Sequence, residues 1–272
     1  MMKKLSFVLA LLAAFTLLAG AAFAGKLDDI KKKGVLVAGV KDSQPPFGYV
    51  DEQSKQIVGF EIDVCKYLAD KLGVKLDVKP VTSATRIPML TQGSVDIVAA
   101  TMTHKLEREA EIDFSITYFP AEQKLLVKKG GGIKTVADLA GKKVGSAKGS
   151  TSEKNIQAAQ PKCQVISYDT YPMAFLALKQ GKVDAVTTDA PILAGLKATD
   201  EKPEMWEVTG DFIADEPYGL GLPENDSDYR DFVNASLMEM WRSGEYAKVY
   251  DKWFGPKSKC PLELKWKMEL WP

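Results

Sequence analysis

One short pattern occurs twice in this chain, and it limits the possible fold more than any other feature. Gln92-Gly93-Ser94-Val95-Asp96-Ile97-Val98 returns as Gln180-Gly181-Lys182-Val183-Asp184-Ala185-Val186. Each copy follows a short helical pattern, passes a glycine and becomes an apolar run suited to a strand buried on both faces. Two halves carrying the same helix–glycine–strand unit predict two similar lobes. Laid on each other without a gap, the copies set Asp189 at the position of Thr101. Ligands of open α/β sheets bind outside the carboxyl ends of the strands. At that end of the first copy stand Thr101 and Thr103, followed by Arg108 on a charged segment that reads as a helical turn. Two hydroxyls and a guanidinium suit a carboxylate, which arginine can grip with two parallel bonds. The second copy offers the opposite charge in Asp189. A cleft between the lobes would hold a zwitterion, its carboxylate toward Arg108 and its ammonium toward Asp189.

Around the two copies the chain alternates strand and helix. Val35–Val40 reads as a strand, Phe60–Leu72 as an amphipathic helix stopped by Gly73, Leu76–Val81 as a strand and Arg86–Gln92 as a helix before strand Val95–Ala100. Ile116–Gln123 and Lys124–Lys129 look extended. After Gly130-Gly131-Gly132 the alternation restarts with Lys143–Ser146, a helix opened by Ser150, then Val165–Tyr168, Pro172–Leu178 and Val183–Thr188. Ser150 and Glu153 have capping-box spacing. Helices Tyr229–Arg242 and Glu245–Trp253 end the pattern. Such alternation predicts an α/β chain with parallel-rich sheets.

Residues 1–24 carry the marks of a removed signal peptide: Lys3 and Lys4, an apolar run from Leu5 to Leu18, and Ala22-Phe23-Ala24. Its loss takes two lysines from a chain of formal charge zero, leaving about −2, so no nucleic-acid partner is implied. Of three cysteines, Cys65 falls within an amphipathic helix as a buried thiol, and Cys163 with Cys260 could form one disulfide in an oxidising compartment. No pair has C-x-x-C spacing and His104 is the only histidine, so neither a metal site nor a cofactor is expected. A lone, loop-borne His104 supports no Ser-His-Asp set, and no paired-carboxylate site is visible.

The stretches PPFGY (Pro45–Tyr49), VGFEIDVCKYLADKLG (Val58–Gly73), QGSVDIVAATMTHKLERE…IDFS (Gln92–Ser115), GSTSE (Gly149–Glu153), QGKVDAVTTD (Gln180–Asp189) and YDKWFG (Tyr250–Gly255) follow one another in family order. Together they resemble the periplasmic polar amino-acid-binding proteins of ABC importers, solute-binding protein family 3, closest to the glutamate/aspartate-binding branch. The resemblance implies a two-lobed periplasmic binding protein (type II), each lobe a mixed, mainly parallel sheet flanked by helices, joined by two hinge strands near Phe119–Gln123 and Asp215–Gly219. Lobe one would comprise 25–120 with 218–272, and lobe two 121–217.

It also implies roles. Arg108, Thr103, Thr101 and Thr151 match the positions that hold an α-carboxylate; Asp189, with Thr101 and Thr103, matches the α-amino site. Lys41 stands where members specific for cationic ligands carry an acid, and a cation there argues against lysine or arginine as ligand, because burying like charges together is costly. Ser83 and Arg86, in an S-x-x-R before Ile87-Pro88, and Tyr171 before Pro172 complete a side-chain pocket suited to a second carboxylate. The implied partners are a free L-amino acid, acidic by preference, and the membrane permease of an ABC importer, with the protein a periplasmic monomer and not an enzyme. Glutamine or asparagine is the alternative if Lys41 points outward. A cyclohexadienyl dehydratase-like enzyme on the same fold is the alternative of another class.

Overall fold

The computed structural model describes residues 25–272; the expected signal peptide lies outside the described residues. Helix α1 (Lys26–Lys33) leads into strand β1 (Val35–Val40) and a small antiparallel sheet of β2 (Ser43–Gln44), β3 (Gly48–Val50) and β4 (Ile57–Val58). Then come α2 (Phe60–Leu72), β5 (Lys75–Pro80), α3 (Arg86–Thr91), β6 (Ile97–Ala99), β7 (Asp113–Phe114) and the long β8 (Phe119–Lys128). A second run holds β9 (Lys143–Ala147), α4 (Thr151–Ala159), β10 (Gln164–Tyr168), α5 (Tyr171–Lys179), β11 (Ala185–Asp189), α6 (Ala190–Ala198) and β12 (Trp206–Thr209). The chain returns through β13 (Asp215–Tyr218) and β14 (Gly221–Leu222) to α7 (Ser227–Arg242) and α8 (Glu245–Phe254).

These elements build two lobes on one plan. The first sheet has the order β5-β1-β6-β14-β7 and the second β10-β9-β11-β8-β12. In each, three parallel strands are followed by an antiparallel neighbour, β14 beside β6 and β8 beside β11. The repeated pattern explains the match residue by residue. Its glycines, Gly93 and Gly181, take φ of 70° and 68°, a left-handed conformation that stops α3 and α5 without a Cβ clash. Its valines, Val95 and Val183, pack on Gly39 and Gly145 of the adjacent strands, where an added Cβ would stand 3.4 Å away in either lobe. Its aspartates stitch those strands in place. Asp96 N–H donates to the Val37 carbonyl at 2.7 Å while its carboxylate accepts from Val37 N–H at 3.0 Å. Asp184 does the same with Lys143, at 2.7 and 2.8 Å.

The two hinge strands are β13 and the first half of β8, paired antiparallel through Phe119↔Tyr218 and Ala121↔Glu216. The second half of β8 pairs with β11 and β12, so one unbroken strand serves the hinge and the second sheet. Phe119 and Tyr218 stack at 5.7 Å within a cluster holding Phe47, Phe60, Tyr250 and Phe254. That cluster fastens the hinge to the first lobe.

The extended stretches Ile116–Gln123 and Lys124–Lys129 join in one strand, β8, which runs continuously through Gln123; two other expectations are corrected. Ser150 is the N-cap of α4, but its side chain makes no capping bond, and Glu153 accepts from Gly149 N–H instead. Cys163 and Cys260 are both free thiols. Cys163 packs with Leu139 and Ile156 in the second lobe, whereas Cys260 follows α8 beside Tyr49 in the first. A disulfide needs Cα atoms within about 7 Å, and opposite lobes do not supply that. Cys65 is buried within α2, and desolvation holds its thiol well above the ordinary range.

Helix α6 of the second lobe packs closely on the loop after β2 of the first. A Cβ at Gly195 would stand 1.8 Å from the Pro45 carbonyl oxygen, a backbone atom that no side-chain rotation can move aside. Gly195→Ala is therefore expected to hold the lobes apart, seen as a larger radius of gyration by small-angle scattering with the far-ultraviolet circular dichroism unchanged. An unchanged radius would show that the contact is dispensable.

Candidate functional site

The carboxyl ends of β1, β6 and β11 and the first turns of α3, α4 and α5 converge between the lobes. They bring together Lys41, Ser83, Arg86, Thr101, Thr103, Arg108, Thr151, Tyr171 and Asp189, all buried. Thr101 takes φ 46°, unusual for a β-branched residue, and three bonds hold it there. Its N–H donates to Glu61 Oε1 at 2.6 Å, its carbonyl accepts from the Arg86 guanidinium at 3.0 Å, and its hydroxyl accepts from Gln44 Nε2 at 2.7 Å. Both backbone groups of Thr101 are thus engaged, and its hydroxyl is the group it presents to the cleft.

The three cations differ in how they are held. Arg86 donates to the carbonyls of Ala100 and Thr101 at 2.6 and 3.0 Å, so one edge of its guanidinium braces the end of β6 while Nε has no partner. Burial first, then Arg108, pushes its pKa to about 10, leaving it charged at neutral pH. Arg108 rises from a turned segment and donates to the Thr103 carbonyl at 2.7 Å. Burial lowers its pKa, and Glu216 is the strongest charge opposing that shift. Lys41 donates to the Ser83 hydroxyl at 3.0 Å and pairs with no carboxylate among the described residues. Desolvation, then Arg86, holds its pKa well below the ordinary 10.5.

From the second lobe, Thr151 opens α4, whose first turn lacks a side-chain cap. Free N–H groups and the positive end of the helix dipole there favour an anion. Asp189 accepts from the Tyr218 hydroxyl through Oδ2, and its Oδ1 is buried without a partner. Burial first, then Glu216, raises its pKa to about 8. Burial, then Asp189, also raises the Tyr171 phenol, which therefore stays a donor. A cavity of about 100 Å³ lies against Lys41, Ser83 and Tyr171, at the side of the site away from Arg108.

Glu216, Glu61 and Gln44 belong to this layer without having been read as site residues. Glu216, on β13, accepts from Thr103 and from Thr151, the latter at 2.7 Å, through Oε2, and from Asn155 at 2.7 Å through Oε1. Glu61 accepts from Tyr118 as well as Thr101, and burial pushes it up to about 7. The stretch Asp215–Gly219 is legible as a crossing strand, but nothing in D-E-P-Y marks Glu216 as buried. An acid in the first turn of a helix, as Glu61 is, ordinarily serves the dipole. His104 stacks on Phe114 at 4.5 Å, outside the cluster.

Residues 36–256 match the family model of bacterial extracellular solute-binding proteins, family 3. An ABC transporter glutamine-binding protein of Bacillus subtilis (strain 168) is 43% identical over 93% of this chain and 97% of its own length. A glutamate/aspartate import solute-binding protein of Salmonella typhimurium is 37% identical over 86% of this chain and 82% of its own. Among solved structures, an ancestral arginine-binding protein bound to glutamine superimposes with a TM-score of 0.78 at 40% identity, covering 82% of this chain and 98% of that one. All three span most of the described residues.

The raised carboxyls fix the sign of a pH effect. A folded-state pKa of about 8 against an ordinary 3.8 means that the folded protein keeps a proton the unfolded chain gives up. Asp189's contribution to stability is full below the ordinary value and is lost as pH rises through about 8. The melting temperature of the protein alone should fall as pH is raised from 6 to about 8, and Asp189→Asn, which cannot ionise, should flatten that fall. Equal slopes in the two proteins would remove Asp189 as the cause.

Proposed function

The chain belongs to the bacterial extracellular solute-binding proteins, family 3, and from that premise we propose that it captures an acidic L-amino acid, glutamate or aspartate, for the permease of an ABC importer. Ligand enters the open cleft of a periplasmic monomer and the lobes, 25–120 with 218–272 and 121–217, close on it about the hinge strands. Arg108 grips the α-carboxylate, helped by Thr103, Thr101 and the first turn of α4 at Thr151. Asp189 takes the α-ammonium, with the hydroxyls of Thr101 and Thr103 beside it. Ser83, Tyr171 and Lys41 meet the side chain, and Arg86 contributes its charge from behind β6.

Lys41 is the observation that carries the acidic reading. It is only 5% exposed and bonds a hydroxyl rather than a carboxylate. An unpaired cation in a low-dielectric site is costly, so a distal carboxylate in the cavity beside it restores what burial removed. The neutral amide of glutamine would accept one hydrogen bond there without cancelling the charge. Glutamine is nonetheless the second reading, favoured by the 43% identity to a glutamine-binding protein. The relatives bear the names of binding and import proteins, and the site's acids are bonded into the scaffold, so chemistry on the ligand is not part of the proposal.

Calorimetry with glutamate, aspartate, glutamine and arginine tests this directly. Glutamate or aspartate should bind at least about tenfold more tightly than glutamine, and arginine not measurably. Lys41→Met should cost the acidic ligands on the order of 100-fold, about 3 kcal/mol, and change glutamine little. Preference for glutamine in the unaltered protein would replace the acidic reading with the second one.

A further inference from the structure

Among the described residues, Glu216 is the one carboxylate that accepts hydrogen bonds from both lobes. It sits fully buried on the hinge strand β13. The Thr103 hydroxyl reaches it from the first lobe, and the Thr151 hydroxyl and the Asn155 amide reach it from the second. The two threonine oxygens are 3.3 Å apart across the cleft. Asn155 is itself tied to Gln123 of β8 at 2.9 Å and accepts from Lys105 of the first lobe at 3.4 Å.

We propose that Glu216 is a positioning residue that couples closure of the lobes to ligand binding by clasping Thr103 and Thr151 from opposite sides. A buried carboxylate short of donors is expensive, and with Thr151 and Asn155 on α4 of the second lobe and Thr103 on the first, all three donors come together only when the lobes meet. Opening the cleft parts Thr103 from Thr151, so Glu216 keeps its full set only in the closed form. The clasp also fixes direction. Both threonine hydroxyls donate to Oε2, which leaves their oxygens turned outward as acceptors, beside the place where Asp189 takes the ammonium. Their contribution to a carboxylate is then through backbone N–H groups rather than hydroxyl protons. None of these bonds involves the ligand's side chain, so the clasp acts alike on every amino acid the cleft accepts.

Glu216→Gln tests this sharply. Asn155 continues to donate to the side-chain carbonyl, which turns the new NH2 toward Thr103 and Thr151, where two hydroxyl donors had faced two lone pairs. Glutamate, aspartate and glutamine should each lose on the order of 10–100-fold in affinity, chiefly through faster dissociation in stopped-flow measurements. The ratio of glutamate to glutamine affinity should stay within about threefold of the unaltered protein. Ligand-free protein should become more open by small-angle scattering. Should Glu216→Gln not fold, Asn155→Ala, which removes one of the donors, should show the same uniform loss on a smaller scale, and Thr103→Ser should restore what Thr103→Val loses. The inference rests on the binding reading for its assay but fails separately. Unchanged affinities, or a change in the glutamate-to-glutamine ratio with the same scattering curve, would overturn the clasp; a preference for glutamine throughout would alter the ligand and leave it standing.

Discussion

Six ionisable side chains lie in one buried layer between the lobes, and the rest of the molecule is arranged around keeping them satisfied. Lys41, Glu61, Arg86, Arg108, Asp189 and Glu216 are each 8% exposed or less. Three are cations and three are acids, so the layer is neutral if all are ionised, but neutrality alone does not repay desolvation. Hydrogen bonds do the rest, unevenly. Glu216 has three donors and Arg86 two carbonyl acceptors, whereas Lys41 has a single hydroxyl and Asp189 a single phenol. Arg108, with a single carbonyl, is no better satisfied, and these three groups face the cleft from opposite lobes, two cations from the first and one acid from the second. A molecule bearing both charges between them completes what the protein leaves incomplete.

Rigidity is divided between the lobes in a way that suits this. The first lobe holds its part of the site by backbone: Thr101 is fixed in a left-handed conformation by bonds to Glu61, Arg86 and Gln44. Such a conformation persists only where the surroundings over-determine it. The second lobe contributes helix beginnings, Thr151 of α4 and Tyr171 of α5, and the end of one strand, Asp189. One side is a pre-formed socket, and the other brings donors and a charge to it.

The repeated Q-G-x-V-D pattern made the two-lobed plan readable because each of its residues has the same physical task twice: glycine ends a helix, valine fills the hollow over a strand glycine, and aspartate bonds the neighbouring backbone. The equivalence of Thr101 and Asp189 followed from that register and needed no side-chain detail. What spacing could not convey was direction. Arg86 reads as a free cation of the pocket, yet its guanidinium turns back to the carbonyls of β6. Glu216 reads as one more acid on a crossing strand, yet it points inward at the centre of the layer. Helix α6 went unread because its apolar face, Ile192, Leu193 and Leu196, carries a proline and a glycine in a short span. The expected Cys163–Cys260 bridge failed for a related reason: cysteine count constrains pairing, but only the distribution of residues between lobes decides proximity.

Strand β8 carries a mechanical implication. Its first residues are a hinge strand and its later ones hydrogen-bond β11 and β12, with no loop to absorb a change of angle between them. Rotation at Phe119 is therefore transmitted as if along a stiff lever, and Gln123, paired with Asp189, moves as one piece with it. A small turn at the fulcrum becomes a larger sweep at the far edge of the second sheet. The surface that swings most is then remote from the amino-acid site, so an observer on the outside of the protein could read the state of the cleft without touching it.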